Sequence, residues 1–288
     1  MKKIFLFLLL SSLLTARAQY NSLFWKITGN GIKHPSYLYG TMHTADARVF
    51  AFGDSVLPYF AQTKAYAMEL DPKQGFDMSI ITKLMMGRGY SLKTMLPAKE
   101  YALLDSLVKK QIGYSVGVFD NVAPVFTMTI IEAGAMELSD SSIAGNKEVL
   151  DLYFYKLAKQ KKKKIIGIET VDEQLSALNS LNYQEQADLL LKELQSMHDS
   201  KEMPDVLQYY LDQNLDSLAT NDADAMMPEK FYKALVTVRN VRMADRIADF
   251  IQKQSVFVAV GALHLPKADG VIALLRQKGF TVEPIKNK

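Results

Sequence analysis

Short apolar runs alternate along this chain with longer amphipathic stretches, and the period of the pattern changes with them. Leu23 to Thr28 alternates and is β-prone. Gly29-Asn30-Gly31 is a turn signal and Ser36 to Tyr39 resumes strand character, which predicts a hairpin. His34 falls in the connection beside Pro35 and reads as a solvated loop histidine. Asp54 opens a short helix that Pro58 is expected to interrupt. Ala65 to Leu70 is another strand, running into Asp71-Pro72.

The middle is helical. Pro97 suits a first helical position, and Leu103, Leu104, Leu107 and Val108 form the stripe behind it. Val125 to Met136 is an apolar, Met-bearing helix suited to core packing. Glu148 to Gln160 is a further helix, and the basic run Lys161 to Lys164 reads as its solvated end, favoured by the helix dipole. Ile165 to Ile168 is predicted as a buried strand ended by Glu169. Thr170 then caps a helix with Asp172 and Glu173 in its first turn. Tyr183 to Met197 and Pro204 to Leu218 read as amphipathic helices, Asn221 to Pro228 as an exposed loop, and Glu229 to Gln254 as one long helix. Strand Val256 to Val260, helix Gly270 to Lys278 and strand Phe280 to Ile285 finish the pattern. Strands open and close the chain around a thick helical insert. The fold expected is α/β: a central mixed sheet flanked by helices, with a helical subdomain, in one domain over 19–288.

Composition changes this picture at the amino end. Lys2-Lys3, the apolar run Ile4 to Leu10 and Ala16-Arg17-Ala18 have the layout of a secretory signal peptide over 1–18. Three of the 34 Lys and Arg lie there, leaving 31 bases against 31 acids. A neutral remainder gives no basis for nucleic-acid binding, and no later run is apolar for long enough to anchor the chain in a membrane. There is no cysteine. Disulfides, thiol nucleophiles and thiolate metal sites are excluded, and the core must hold the fold. Export to the periplasm or medium of a bacterium is the expected destination.

Candidate chemistry lies where strands end. Gly40-Thr41-Met42-His43 and Gly261-Ala262-Leu263-His264 repeat one frame, a Gly, two residues and a His after an apolar strand, and they hold two of four histidines. Glu69 and Glu169 also close predicted strands. If those strands lie side by side and point one way, His43, Glu69, Glu169 and His264 converge on one crevice, the usual ligand position in open α/β sheets. Two imidazoles and two carboxylates suit a divalent transition metal, such as Zn, Mn or Co, or metal-free acid–base work. In the metal version His43, His264 and one of the two carboxylates, Glu69 or Glu169, are ligands, and the other carboxylate takes the proton of a water. The residues alone do not decide which glutamate is ligand and which is base. Gly40 and Gly261 would let the backbone come close to the ligand. Arg239 and Asn240 on the long helix could reach the crevice to orient a carboxylate or bind a substrate carbonyl. His198 beside Asp199 reads as a surface residue, and Ser141-Ser142 lack a nucleophile-elbow frame.

Six segments taken in order resemble the TraB/GumN family, which includes the TIKI ectodomains. They are Gly-Thr-Met-His at 40–43, Met68-Glu69-Leu70-Asp71-Pro72, Leu150-Asp151-Leu152-Tyr153, Gly167 to Leu175, Arg239-Asn240-x-x-Met243 and Val260 to Leu265. The resemblance runs from about Ser22 to Val282. It implies a metal-dependent protease acting on a peptide or secreted protein, with His43, His264 and Glu69 at the essential positions. Distant esterase-like and haem-binding relatives imply two alternatives for the same crevice, a metal-free hydrolase and a non-catalytic protein that sequesters peptide or haem. The chain departs from the family pattern at Lys267, where many members carry Gly.

Overall fold

The computed structural model describes residues 21–44, 46–74, 78–139, 149–199, 206–220 and 227–286. The expected leader, Ser141-Ser142, most of the expected 221–228 loop and the His198 side chain lie outside the described residues.

Six strands form one mixed sheet: β1 Phe24–Gly29, β2 Ser36–Thr41, β3 Ala65–Met68, β4 Lys164–Gly167, β5 Val256–Gly261 and β6 Phe280–Pro284. Their order across the sheet is β4-β3-β5-β2-β1-β6. The hairpin is as expected, with β1 antiparallel to β2 and Phe24 opposite Tyr39. β2, β5, β3 and β4 are parallel. The carboxyl ends of these four strands therefore share one edge of the sheet, and each carries one of the predicted site residues.

The central strands β2, β3 and β5 are buried along almost their whole length, without the alternation of a half-exposed strand. On one face Phe257 of β5 packs against Phe60 and Phe154, with ring centroids 5.0 and 5.3 Å apart. Such tilted aromatic contacts add to plain area burial. The helical insert has its own core. The helices Ala98–Ile112, Pro124–Ser139 and Tyr183–Asp199 close around Leu104, Val108, Ile131, Leu190 and Leu194.

Several expectations change. Pro58 does not interrupt its helix, Val56–Gln62, because it sits in the first turn, where no backbone N–H is needed. β4 is an edge strand, partly exposed, rather than a buried one. Lys163 is not a solvated helix end. Its ammonium donates to the Thr63 carbonyl and lies 5.1 Å over the Phe60 ring. Of the helix expected from Pro204 to Leu218, the described residues form two, Val206–Leu211 and Leu215–Leu218, broken where Gln213 takes a φ of 57°. The long helix is α-helical over Glu229–Tyr232 and Val238–Lys253, with a π-helical turn, Lys233–Thr237, between.

Beyond β5 the chain makes a 3-10 turn, Ala262–His264, and then enters the helix Val271–Gln277 through Gly270. A Cβ on Gly270 would lie 1.8 Å from the Pro266 carbonyl oxygen and 2.4 Å from that of Leu265. Leu265 is wholly buried, so the turn cannot retreat. Gly270→Ala is expected to lower stability in urea unfolding by about 3 kcal/mol or more, well above the usual effect of a loop substitution.

Candidate functional site at the strand ends

The register of β2 against β5 sets Thr41 opposite Gly261, so the two Gly-x-x-His frames lie side by side. Their glycines serve close approach. A Cβ on Gly40 would sit 2.9 Å from Leu265 Cδ1 and 3.1 Å from Ala262 Cα, where the second frame turns. A Cβ on Gly261 would sit 3.3 Å from Glu69 Oε1. Without that carbon the carboxylate accepts the Gly261 N–H at 2.7 Å. Tyr210 steadies the first frame by donating its hydroxyl to the Gly40 carbonyl at 2.9 Å.

β3 and β4 stay paired past their last strand residues. The Glu169 N–H donates to the Glu69 carbonyl at 2.8 Å. Two carboxylates are thereby set next to each other, and Glu169 is 1% exposed. Arg239 resolves the repulsion. Its Nη2 lies 2.7 Å from Glu69 Oε2 and 2.7 Å from Glu169 Oε2, and its Nε donates to Glu169 at 3.0 Å. Its Nη1 donates to the Leu235 carbonyl in the π-helical turn at 3.1 Å. Gln174 donates to both carboxylates, at 3.3 and 3.2 Å. Burial pushes the Glu69 carboxyl up. In acid, where the imidazoles are protonated, the charges of His264, Arg239 and His43, with the Gly261 N–H, outweigh it and hold the pKa at about 2. Glu69 is therefore a carboxylate at any ordinary pH.

His264 faces this carboxylate, its Nε2 3.9 Å from Glu69 Oε1. Its other nitrogen, Nδ1, lies 2.6 Å from Asn240 Oδ1. Asn240 Nδ2 donates to the Asp269 carbonyl at 2.9 Å, which fixes the amide with its oxygen toward the ring. The imidazole must then carry its proton on Nδ1, and the Nε2 lone pair points to Glu69. Burial pushes the His264 pKa down, partly opposed by Glu69. A neutral lone pair opposite an anion is an arrangement that a cation or a proton between them would relieve.

The other residues divide. Glu169 does not face the imidazoles; it lies behind Arg239, with Arg242 Nη1 also 3.6 Å away. Arg239 does reach the crevice and orients carboxylates. Asn240 touches the His264 ring. His43 stands apart on the rim, with its side chain 68% exposed and Nδ1 3.8 Å from Asp151 Oδ2. A proton on His43 would lower the pKa of both Glu69 and His264. Among the described residues no three His, Asp or Glu side chains gather closely enough to hold a metal ion, so His43, His264 and Glu69 do not form a closed cage. Sequence reasoning passed over Gln174 and Asp151 as site residues. Gln174 lies on the helix that begins directly after Glu169, and that nearness was a readable signal. Asp151 reaches the site only through tertiary packing.

The chain matches the TraB/PrgY/gumN family over residues 23–284. It is similar to Metalloprotease TIKI1 of Xenopus tropicalis, 26% identical over 321 residues that cover 92% of this chain and 62% of the relative. Metalloprotease TIKI2 of Danio rerio is 26% identical over 324 residues, covering 91% and 61%. Metalloprotease TIKI1 of Homo sapiens is 24% identical over 322 residues, covering 93% and 62%. The chain thus spans about six-tenths of the length of these curated relatives. No solved structure matches it.

The segment that carries Glu169 is braced by Glu173. Thr170 and Glu173 form a capping box, and Arg246 grips Glu173 at 2.7 and 2.8 Å. The Arg246 hydrogen bonds hold the Glu173 carboxyl down at about 2, against an ordinary 4.5. The folded pKa lies below the unfolded one, so this stabilisation is complete above pH 4.5 and is lost as pH falls through about 2. Glu173→Gln should cost about 1 kcal/mol in urea unfolding at neutral pH. The gap from the native chain should close across that acid range.

Proposed function

The chain belongs to the TraB/PrgY/gumN family, and from that premise we propose that it is an exported, metal-dependent hydrolase acting on peptides or proteins. The observation that carries this reading is the placement of His264, held through Nδ1 by Asn240 with Nε2 3.9 Å from the Glu69 carboxylate. The names of the similar metalloproteases support it. Among the described residues no helix is long and apolar enough to cross a membrane, and the secretory layout of residues 1–18 supports export.

The donors suit a divalent transition ion such as Zn, Mn or Co. Glu69 offers a carboxylate that stays ionised, and His264 offers an unprotonated nitrogen oriented from behind. His43, exposed on the rim, would have to turn inward to complete the set. Such an ion, when bound, polarises a carbonyl and makes a water more acidic. The chain's own residues do the rest. Arg239 and Gln174 keep Glu69 from rotating away from Gly261 and His264. Asn240 acts as a positioning residue that holds the His264 proton at Nδ1. Glu169 acts as the counter-charge that seats Arg239, which leaves Glu69 as the carboxylate that meets the reacting groups.

A second reading is favoured by one observation. The two histidines and Glu69 are not closed around one point, which suits general acid–base hydrolysis without a metal or ligand retention without turnover. Metal analysis of the purified chain, with peptide cleavage before and after chelation, separates the readings. Bound metal and chelator-sensitive cleavage are expected. Glu69→Gln and His264→Ala should each lower kcat/KM by about 100-fold or more, and Asn240→Ala by about 10- to 100-fold. Unchanged cleavage in His43→Ala and His264→Ala would remove the crevice as the active centre. Chelator-resistant cleavage that still needs His43 would replace the metal reading by the acid–base one.

A further inference from the structure

The first Gly-x-x-His frame has a buried acid of its own. Asp151 opens the helix Leu150–Gln160, and its carboxylate packs beneath the end of β2. Oδ1 accepts the Thr41 hydroxyl at 2.7 Å. The backbone carbonyl of Asp151 accepts the Tyr66 hydroxyl at 3.3 Å. Oδ2 is closed off from solvent and has no hydrogen-bond partner among the described residues. Leaving a buried polar atom unmet is costly, the more so when it is charged. Burial accordingly pushes the Asp151 carboxyl up, against the pull of His43 and the Thr41 hydroxyl.

His43 Nδ1 stands 3.8 Å from this oxygen, about 1 Å beyond hydrogen-bond distance. The ring is largely exposed, so it can turn inward without displacing the core. Thr41, which holds the other carboxylate oxygen, lies two residues before His43 on the same strand end. The acid and the imidazole are therefore held by one short piece of backbone.

We propose that Asp151 is the positioning residue of His43: Oδ2 accepts the Nδ1–H, fixes that tautomer and turns Nε2 toward the crevice that holds Glu69 and His264. The two frames then follow one design. Each imidazole is gripped from behind through Nδ1, His264 by the amide of Asn240 and His43 by the carboxylate of Asp151. The partners differ in charge, which makes the two rings unequal. Asn240 orients a buried ring through a neutral amide, whereas Asp151 gives an exposed ring a fixed direction.

The proposal deepens the hydrolase reading, but its test reads the imidazole without any substrate. The sequence has four histidines, so the full chain labelled with 15N only at histidine gives a small set of ring signals, with His43 assigned by its loss in His43→Gln. At about pH 8, where an ordinary imidazole is neutral, two-bond 15N–1H spectra should show His43 protonated at Nδ1. In Asp151→Ala it should shift toward the Nε2–H form that free imidazole side chains prefer. Peptide cleavage by that variant should lose about 10- to 100-fold in kcat with KM nearly unchanged. A wild-type His43 protonated mainly at Nε2 would overturn the proposal, and so would a tautomer ratio equal in wild type and Asp151→Ala. The wild-type spectrum decides even if the variant fails to fold. A chain without hydrolase activity that still shows the Nδ1–H tautomer, lost in Asp151→Ala, would retain this inference and discard the hydrolase reading.

Discussion

One guanidinium holds the candidate site in shape. The pairing of β3 with β4 runs on past the strand ends and forces Glu69 and Glu169 to be neighbours in a place with little water. Two adjacent carboxylates there would repel, and one would take up a proton. Arg239 lies against both and supplies a positive charge with a fixed fork of donors. The cost of burying the Arg is offset only because both acids and the Leu235 carbonyl meet its N–H groups. The arrangement also gives the acids different tasks. Glu169 spends its oxygens on Arg239, while Glu69 keeps one oxygen toward Gly261 and His264.

The repeated Gly-x-x-His frame has a steric origin. Gly40 lets the end of β2 rest against the turn that follows β5, and Gly261 leaves space for the Glu69 carboxylate. The same turn explains the departure at Lys267. Its φ of 70° is left-handed, a conformation in which glycine is at ease and lysine is strained. Lysine holds it with Nζ 3.1 Å from the Tyr232 hydroxyl and 4.8 Å over the same ring. That contact ties the turn beyond His264 to the short helix Glu229–Tyr232, which leads through the π-helical turn to Arg239.

Local signals were legible wherever a short stretch of chain settles the outcome. Gly29-Asn30-Gly31 marked the hairpin, and Gly29, Asn30 and Gly31 all take positive φ. Thr170 and Glu173 marked a helix start that is a reciprocal cap. Apolar runs ending in His43, Glu69, Glu169 and His264 marked the strand ends. The errors came where neighbours decide. Ile165 and Ile166 are apolar enough for a central strand, yet β4 lies at the edge because no further strand pairs with it. Pro58 is a breaker in isolation and harmless in a first turn.

Sequence by itself determined which side chains stand at the ends of which strands, because period and turn chemistry act over a few residues. It also determined that no thiol chemistry is open to this chain. Strand order, parallel direction and register were decided by tertiary structure alone. They put Thr41 beside Gly261 and Glu69 beside Glu169, across separations of 220 and 100 residues that no local pattern spans. The partners of the two imidazoles, Asn240 and Asp151, were likewise settled by packing. A buried polar atom takes whatever donor or acceptor the fold brings within about 3 Å, and sequence distance does not enter into that choice.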